Sequence, residues 1–162
     1  MTENQKNTHL EWTDNLIKGR IAEVIFEQMM LSSDRFTVIP FGYEKKTPEI
    51  ASRSRHLTQS DAVEVLKRSP DFVLIDNETH NVLLIEVKFQ TIKSNHWTLE
   101  AAEAVLQTWK PAYIFLATAN GFYFDSVKNI VANRGEIPVF GHNLISLEMQ
   151  TEYLQIIKRH LA

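Results

Sequence analysis

The chain has 162 residues, no cysteine and a net charge of −3, from 17 lysines and arginines against 20 aspartates and glutamates. With 44% hydrophobic and 23% charged residues it has the composition of one globular domain, expected over residues 10–162, behind a polar, frayed tail at 1–9. These figures exclude a disulfide scaffold, a thiolate zinc site, a cysteine nucleophile and a basic coat for nucleic acid; no stretch nears the ~20 apolar residues of a membrane span and the start lacks a signal-peptide core, so a cytoplasmic protein with no membrane partner is expected.

Leu10, Ile17, Ile21, Val24, Ile25 and Leu31 recur at helical spacing and predict a helix over 10–31, ended by Ser32-Ser33-Asp34. Gly19 inside it costs about 1 kcal/mol against alanine and points to close packing on a neighbouring element. Residues 36–41 read as a strand with Pro40 near its end, 42–57 as a loop, and 58–68 as a short helix capped by Thr58 or Ser60. Residues 72–75 and 82–89 read as strands paired antiparallel across a polar turn at 76–81. The second is a near-continuous apolar run, the pattern of a strand covered on both faces.

A helix over 99–109 follows, then a buried strand at 112–117, an Asn120-Gly121 hairpin turn and its second arm at 122–125. Residues 126–146 carry no clear period. A last helix covers 147–161, with Lys158 and Arg159 where cations complement the helix dipole. Buried strands between helices predict an α/β fold, a three-layer α/β/α sandwich around a mixed sheet.

Two charges interrupt the most apolar strand. Glu86 and Lys88 are two apart and share a face with Val82 and Leu84, while Leu83, Ile85, Val87 and Phe89 occupy the other. Either they form an ion pair at the edge of the core or they serve chemistry. The antiparallel pairing counts Asp71 back to a place beside Glu86. Two adjacent carboxylates do not both ionise cheaply without a cation, and a hard divalent ion with oxygen ligands is the natural one. Such an ion activates water and neutralises phosphate charge, and a lysine beside it orients the water or stabilises the phosphorane.

Pro70-Asp71 followed by Glu86-Val87-Lys88 resembles the PD-(D/E)xK motif of the restriction-endonuclease-like nucleases. Gly19-Arg20-Ile21-Ala22-Glu23, ahead of the first strand, is similar to the Gly-x-x-x-Glu of the Holliday junction resolvase branch. The resemblance covers about residues 16–118 and departs over 42–69, where the resolvases are shorter. It implies a restriction-endonuclease-like fold and a Mg²⁺-dependent endonuclease acting on DNA, with Mn²⁺ able to substitute. Asp71, Glu86 and Glu23 would be the metal ligands and Lys88 the residue that assists the water. The helical wheel leaves both Glu23 and Glu27 beside the apolar face; the resemblance favours Glu23.

Gln90 continues the Glu86–Lys88 face and reads equally as a contact to water or phosphate and as a strand-end polar residue. Between 45 and 68 six cations stand against three carboxylates, either a solvated loop or a phosphate-binding surface; Arg53, Arg55, Lys67 and Arg68 are its candidates, extended by Lys93. Trp97 and Trp109 read as core, and His56, His80 and His96 as loop residues. A non-catalytic nucleic-acid-binding or assembly subunit of the same fold is the alternative function. A homodimer would supply two sites for two strands.

Overall fold

The computed structural model describes residues 3–42 and 61–161, with side chains from Leu10 onward. Ten elements follow in order: α1 (Glu3–Leu31), β1 (Phe36–Pro40), α2 (Asp61–Lys67), β2 (Phe72–Asp76), β3 (Val82–Gln90), α3 (Asn95–Leu106), β4 (Tyr113–Thr118), β5 (Gly121–Ser126), α4 (Val127–Ala132) and α5 (Leu147–Leu161). The predicted loop at 42–57, from residue 43 on, and the caps Thr58 and Ser60 lie outside the described residues, as do Arg53, Arg55 and His56.

The five strands form one mixed sheet in the order β1-β2-β3-β4-β5. Only β3 and β4 run parallel, because α3 carries the chain across one face between them; the other neighbours are antiparallel. A core on one face joins α1 and α5 to the sheet through Phe26, Met29, Phe72, Ile85, Phe115 and Ile157. A second, on the opposite face, joins α3 and α4 through Ala102, Val105, Ile114, Leu116 and Ile130. This is the expected α/β sandwich of three layers. Phe26 fixes α1 on the sheet, with ring centroids 5.3 Å from Phe72 and 4.9 Å from Phe115.

Three boundaries and one face differ from the sequence reading. α1 begins at Glu3, since the polar residues before Leu10 continue a helix without an apolar face to announce it. α3 begins at Asn95 because Ser94 caps it, its side chain accepting the N–H of Trp97. Residues 127–132, without a readable period, form the short α4, capped by Ser126. The face of α1 that packs on the sheet is Ala22, Ile25, Phe26, Met29 and Met30, whereas Leu10, Ile17, Val24 and Leu31 are exposed. Gly19 makes no close packing among the described residues: a Cβ built there meets none of them within 4 Å. Trp97 is 59% exposed and is not core; Trp109 is partly buried, edge-on to Phe41.

Candidate active site

The sheet splits at Glu86. β2 and β3 pair from Ile75↔Val82 to Phe72↔Ile85, and beyond Ile85 the strand pairs only with β4, from Glu86↔Ile114 to Gln90↔Thr118. Pro70, which has no N–H to donate, stands where β2 would otherwise continue. Asp71 completes the ladder with its side chain, Oδ2 accepting the N–H of Val87 at 2.8 Å. Its carbonyl accepts from Phe41 N at 2.8 Å and Gly42 N at 3.1 Å, so the residue is held at both ends. The predicted neighbours Asp71 and Glu86 thus stand at the same end of the sheet, at the mouth of the split.

Two adjoining cavities of about 320 and 310 Å³ open there, and Glu23, Asp71 and Glu86 line both. Glu23 comes from α1, next to the fully buried Ala22. Lys88 lies in the second cavity, its Nζ donating to Glu86 Oε1 at 2.6 Å. Arg20 Nη1 donates to Glu23 Oε2 at 3.0 Å. With Glu86 turned onto Lys88 and Glu23 onto Arg20, no three carboxylate or imidazole groups among the described residues converge on one point for an ion in this rotamer set.

Burial, and then the charge of Glu86, push the Asp71 carboxyl up to about 7; the N–H of Val87 opposes this, Glu23 adds to it and Lys88 works against it. Burial pulls the Lys88 ammonium down, but the charge and hydrogen bond of Glu86, with Asp71 and Glu23 behind them, more than offset it and leave its pKa raised. Lys88 is therefore a fixed positive charge and not a neutral base. The carboxylates that line both cavities, Glu23, Asp71 and Glu86, offer oxygen donors only, which suits a hard divalent ion.

The other candidates separate. Glu27 does not line these cavities, so the structure brings Glu23 and not Glu27 beside Asp71 and Glu86. Gln90 is buried and both ends of its amide are engaged: Nε2 donates to Thr98 Oγ1 at 3.2 Å and Oε1 accepts from Ser94 N at 2.7 Å. It anchors the start of α3 and does not reach the site. Lys67 lines the first cavity with Glu23, its Nζ 3.3 Å from Glu64 Oε1. Arg68 donates to Gln107 at 2.9 Å and lines, with Lys88 and Glu86, a neighbouring hollow of about 500 Å³ against α3. Lys93 lies elsewhere, its Nζ 5.0 Å from the centre of the Tyr123 ring on β5. Asp76, the other acid of the β2–β3 hairpin, is buried at the far end of the sheet, where Arg35 Nη2 donates to it at 2.7 Å. Gly19, which the sequence offered only as a packing glycine and as the head of Gly-x-x-x-Glu, lines the first cavity together with Asn15 and Ser69, which escaped the sequence reading. Gly19 and Asn15 lie one and two helical turns before Glu23, a spacing that points to them once Glu23 is chosen.

No family profile matches the chain and no curated protein is similar to it. Among solved structures it is similar to Hjc of Archaeoglobus fulgidus, a Holliday junction resolvase from an archaeal hyperthermophile, with a TM-score of 0.40 and 13% identity over 83% of this chain and 98% of that one. At those values the likeness carries no argument about chemistry, which rests on the site itself.

Proposed function

We propose that this chain is a divalent-metal-dependent nuclease that hydrolyses phosphodiester bonds in DNA. The observation that carries the reading is the meeting of Asp71 and Glu86 across the split between β2 and β3, with Lys88 on Glu86 and Glu23 of α1 in the same cavities. Asp71, Glu86 and Glu23 would hold Mg²⁺, or Mn²⁺ in its place. Bound there, the ion would supply a water of lowered pKa and a counter-charge to the phosphate oxygens.

The chain's own residues do the rest. Asp71 is positioned by Val87 N–H, which fixes one carboxylate oxygen and leaves the other for a ligand. Lys88 carries a permanent positive charge beside the reacting phosphate, where it stabilises the pentavalent phosphorane and orients the attacking water. Lys67, which lines the first cavity, meets a flanking phosphate. The PD-(D/E)xK resemblance supports the same roles for Asp71, Glu86 and Lys88, and a restriction-endonuclease-like assignment of the sandwich. A homodimer would place two such sites on the two strands of a duplex. No described helix is long and apolar enough to cross a membrane.

Incubation with plasmid, single-stranded, branched and RNA substrates, in Mg²⁺ or Mn²⁺ against EDTA, tests the reading. We expect cleavage of at least one DNA form, abolished by EDTA. Tight DNA binding without cleavage in either metal would favour the non-catalytic alternative instead.

A further inference from the structure

Gly19 occupies an unusual place on α1. It lies on the helix face that packs on the sheet, three and seven residues before Ala22 and Phe26, both fully buried. Yet a Cβ built on it meets nothing within 4 Å among the described residues. A glycine inside a helix carries a propensity cost that neither a turn nor a tight neighbour among the described residues explains at this position. The open space in front of it is not solvent at large: Gly19 lines both cavities that hold Glu23, Asp71 and Glu86. One turn before it, Asn15 faces the same two cavities with a neutral amide. Lys67 and Ser69, from the chain just ahead of β2, also line the first.

We infer that Gly19 is a positioning residue: the sugar–phosphate backbone of the substrate strand crosses α1 in van der Waals contact with the Gly19 main chain, in the cavity that Lys67 and Ser69 also line. The absent side chain is what lets a strand approach closely enough for its phosphate to reach Asp71 and Glu86. Asn15, which both donates and accepts, meets the sugar or phosphate oxygens one step along the strand. The inference rests on the nuclease reading and adds to it the direction from which the strand enters.

The test is a size series, Gly19→Ala and Gly19→Leu, both good helix formers, with two readouts. Thermal unfolding in EDTA should rise by a few degrees in both variants, since each gains helix propensity and its Cβ meets no described residue within 4 Å. Binding of a fluorescein-labelled DNA oligonucleotide, followed by anisotropy in Ca²⁺ at low salt, should weaken stepwise with size. Gly19→Leu should bind about ten- to a hundredfold less tightly, the range set by forcing methylenes into a filled site. Single-turnover cleavage should show the loss in the substrate concentration needed more than in the limiting rate.

A Gly19→Leu protein that melts higher and binds as the wild type does would overturn the inference. The nuclease reading would survive that result if Glu86→Gln still lacked cleavage. Lower melting in both variants would also overturn it, by showing that Gly19 serves packing. A wild type that neither binds nor cuts DNA would remove the nuclease reading, and this inference with it.

Discussion

The carboxylate of Asp71 accepts the backbone N–H of Val87 at 2.8 Å, taking the place of a strand carbonyl where the sheet splits. That single contact explains how an acid is kept beside Glu86 in a half-buried pocket, and it is burial, and then the charge of Glu86, that make Asp71 sensitive to pH, against the pull of the Val87 N–H. Its pKa rises from 3.8 to about 7 on folding. The folded state therefore binds more protons than the unfolded state between those values, so stability falls as pH rises through that window and levels off above it. We predict that the melting temperature in EDTA drops between pH 5 and pH 7.5 and that Asp71→Asn, which retains a hydrogen-bond acceptor, loses this slope and melts above the wild type at pH 7.5. Thermal unfolding in half-unit pH steps checks it; equal slopes in the two proteins would contradict it.

At the other end of the sheet the sign is opposite. The hydrogen bond from Arg35 is the main force that holds Asp76 well below the usual carboxylate range, with burial opposing and the N–H groups of Glu78 and Thr79 assisting. Its stabilisation is present above its unfolded pKa of 3.8 and is lost as pH falls further. Arg35→Ala should melt below the wild type at neutral pH, and the gap should narrow as Asp76 is protonated in acid. A gap that stays constant from pH 6 down to pH 3 would mean that Arg35 acts only through its packing over Phe36.

Metal binding should appear as stabilisation. Mg²⁺ at about ten times its Kd adds ~1.4 kcal/mol to a site that only the folded state offers. For a chain of this size that is a rise of roughly 3–6 °C in melting temperature. Glu86→Gln should show almost none of the rise. Equal shifts in mutant and wild type would place the ion somewhere other than the Asp71–Glu86 cleft.

The two lysines that the sequence grouped together should now part. Lys67 lines the candidate cavity, whereas Lys93 sits over Tyr123. Lys67→Glu should weaken DNA binding and reduce the log–log salt slope by about 1, and Lys93→Glu should leave that slope as it is. Anisotropy titrations at several salt concentrations give both numbers, and the reverse order would move the DNA to the β5 side.

Lys88→Ala should fold normally, because the side chain is 42% exposed and fills no core volume. Its cleavage should fall at least ~100-fold. Residual turnover above about a tenth of wild type would take the water-assisting role from Lys88.

What could be read from the residues alone followed from constraints that are local. The polar turn at 76–81 sets the antiparallel register, so Asp71 beside Glu86 could be counted before any coordinates. The packed face of α1 could not, because Leu10, Ile17, Val24 and Leu31 repeat every seven residues, a spacing as regular as that of the true core stripe. Burial of neither stripe is written in its spacing; the sheet decides it. Gln90 misled for a related reason. It continues the Glu86–Lys88 alternation, but β3 bends into the Ser94 cap at that point and the amide is used there. The choice between Glu23 and Glu27 needed the placement of α1 against the cavities at the split, a tertiary feature with no sequence period.

The central claim is that Asp71 and Glu86 form a hydrolytic metal site. Single-turnover cleavage of a labelled DNA substrate by wild type and Glu86→Gln, side by side in Mg²⁺, tests it most directly. Metal-dependent charge stabilisation is worth several kcal/mol, so the mutant should be slower by at least ~100-fold, while circular dichroism shows an unchanged fold. Equal rates in the two proteins would contradict the claim.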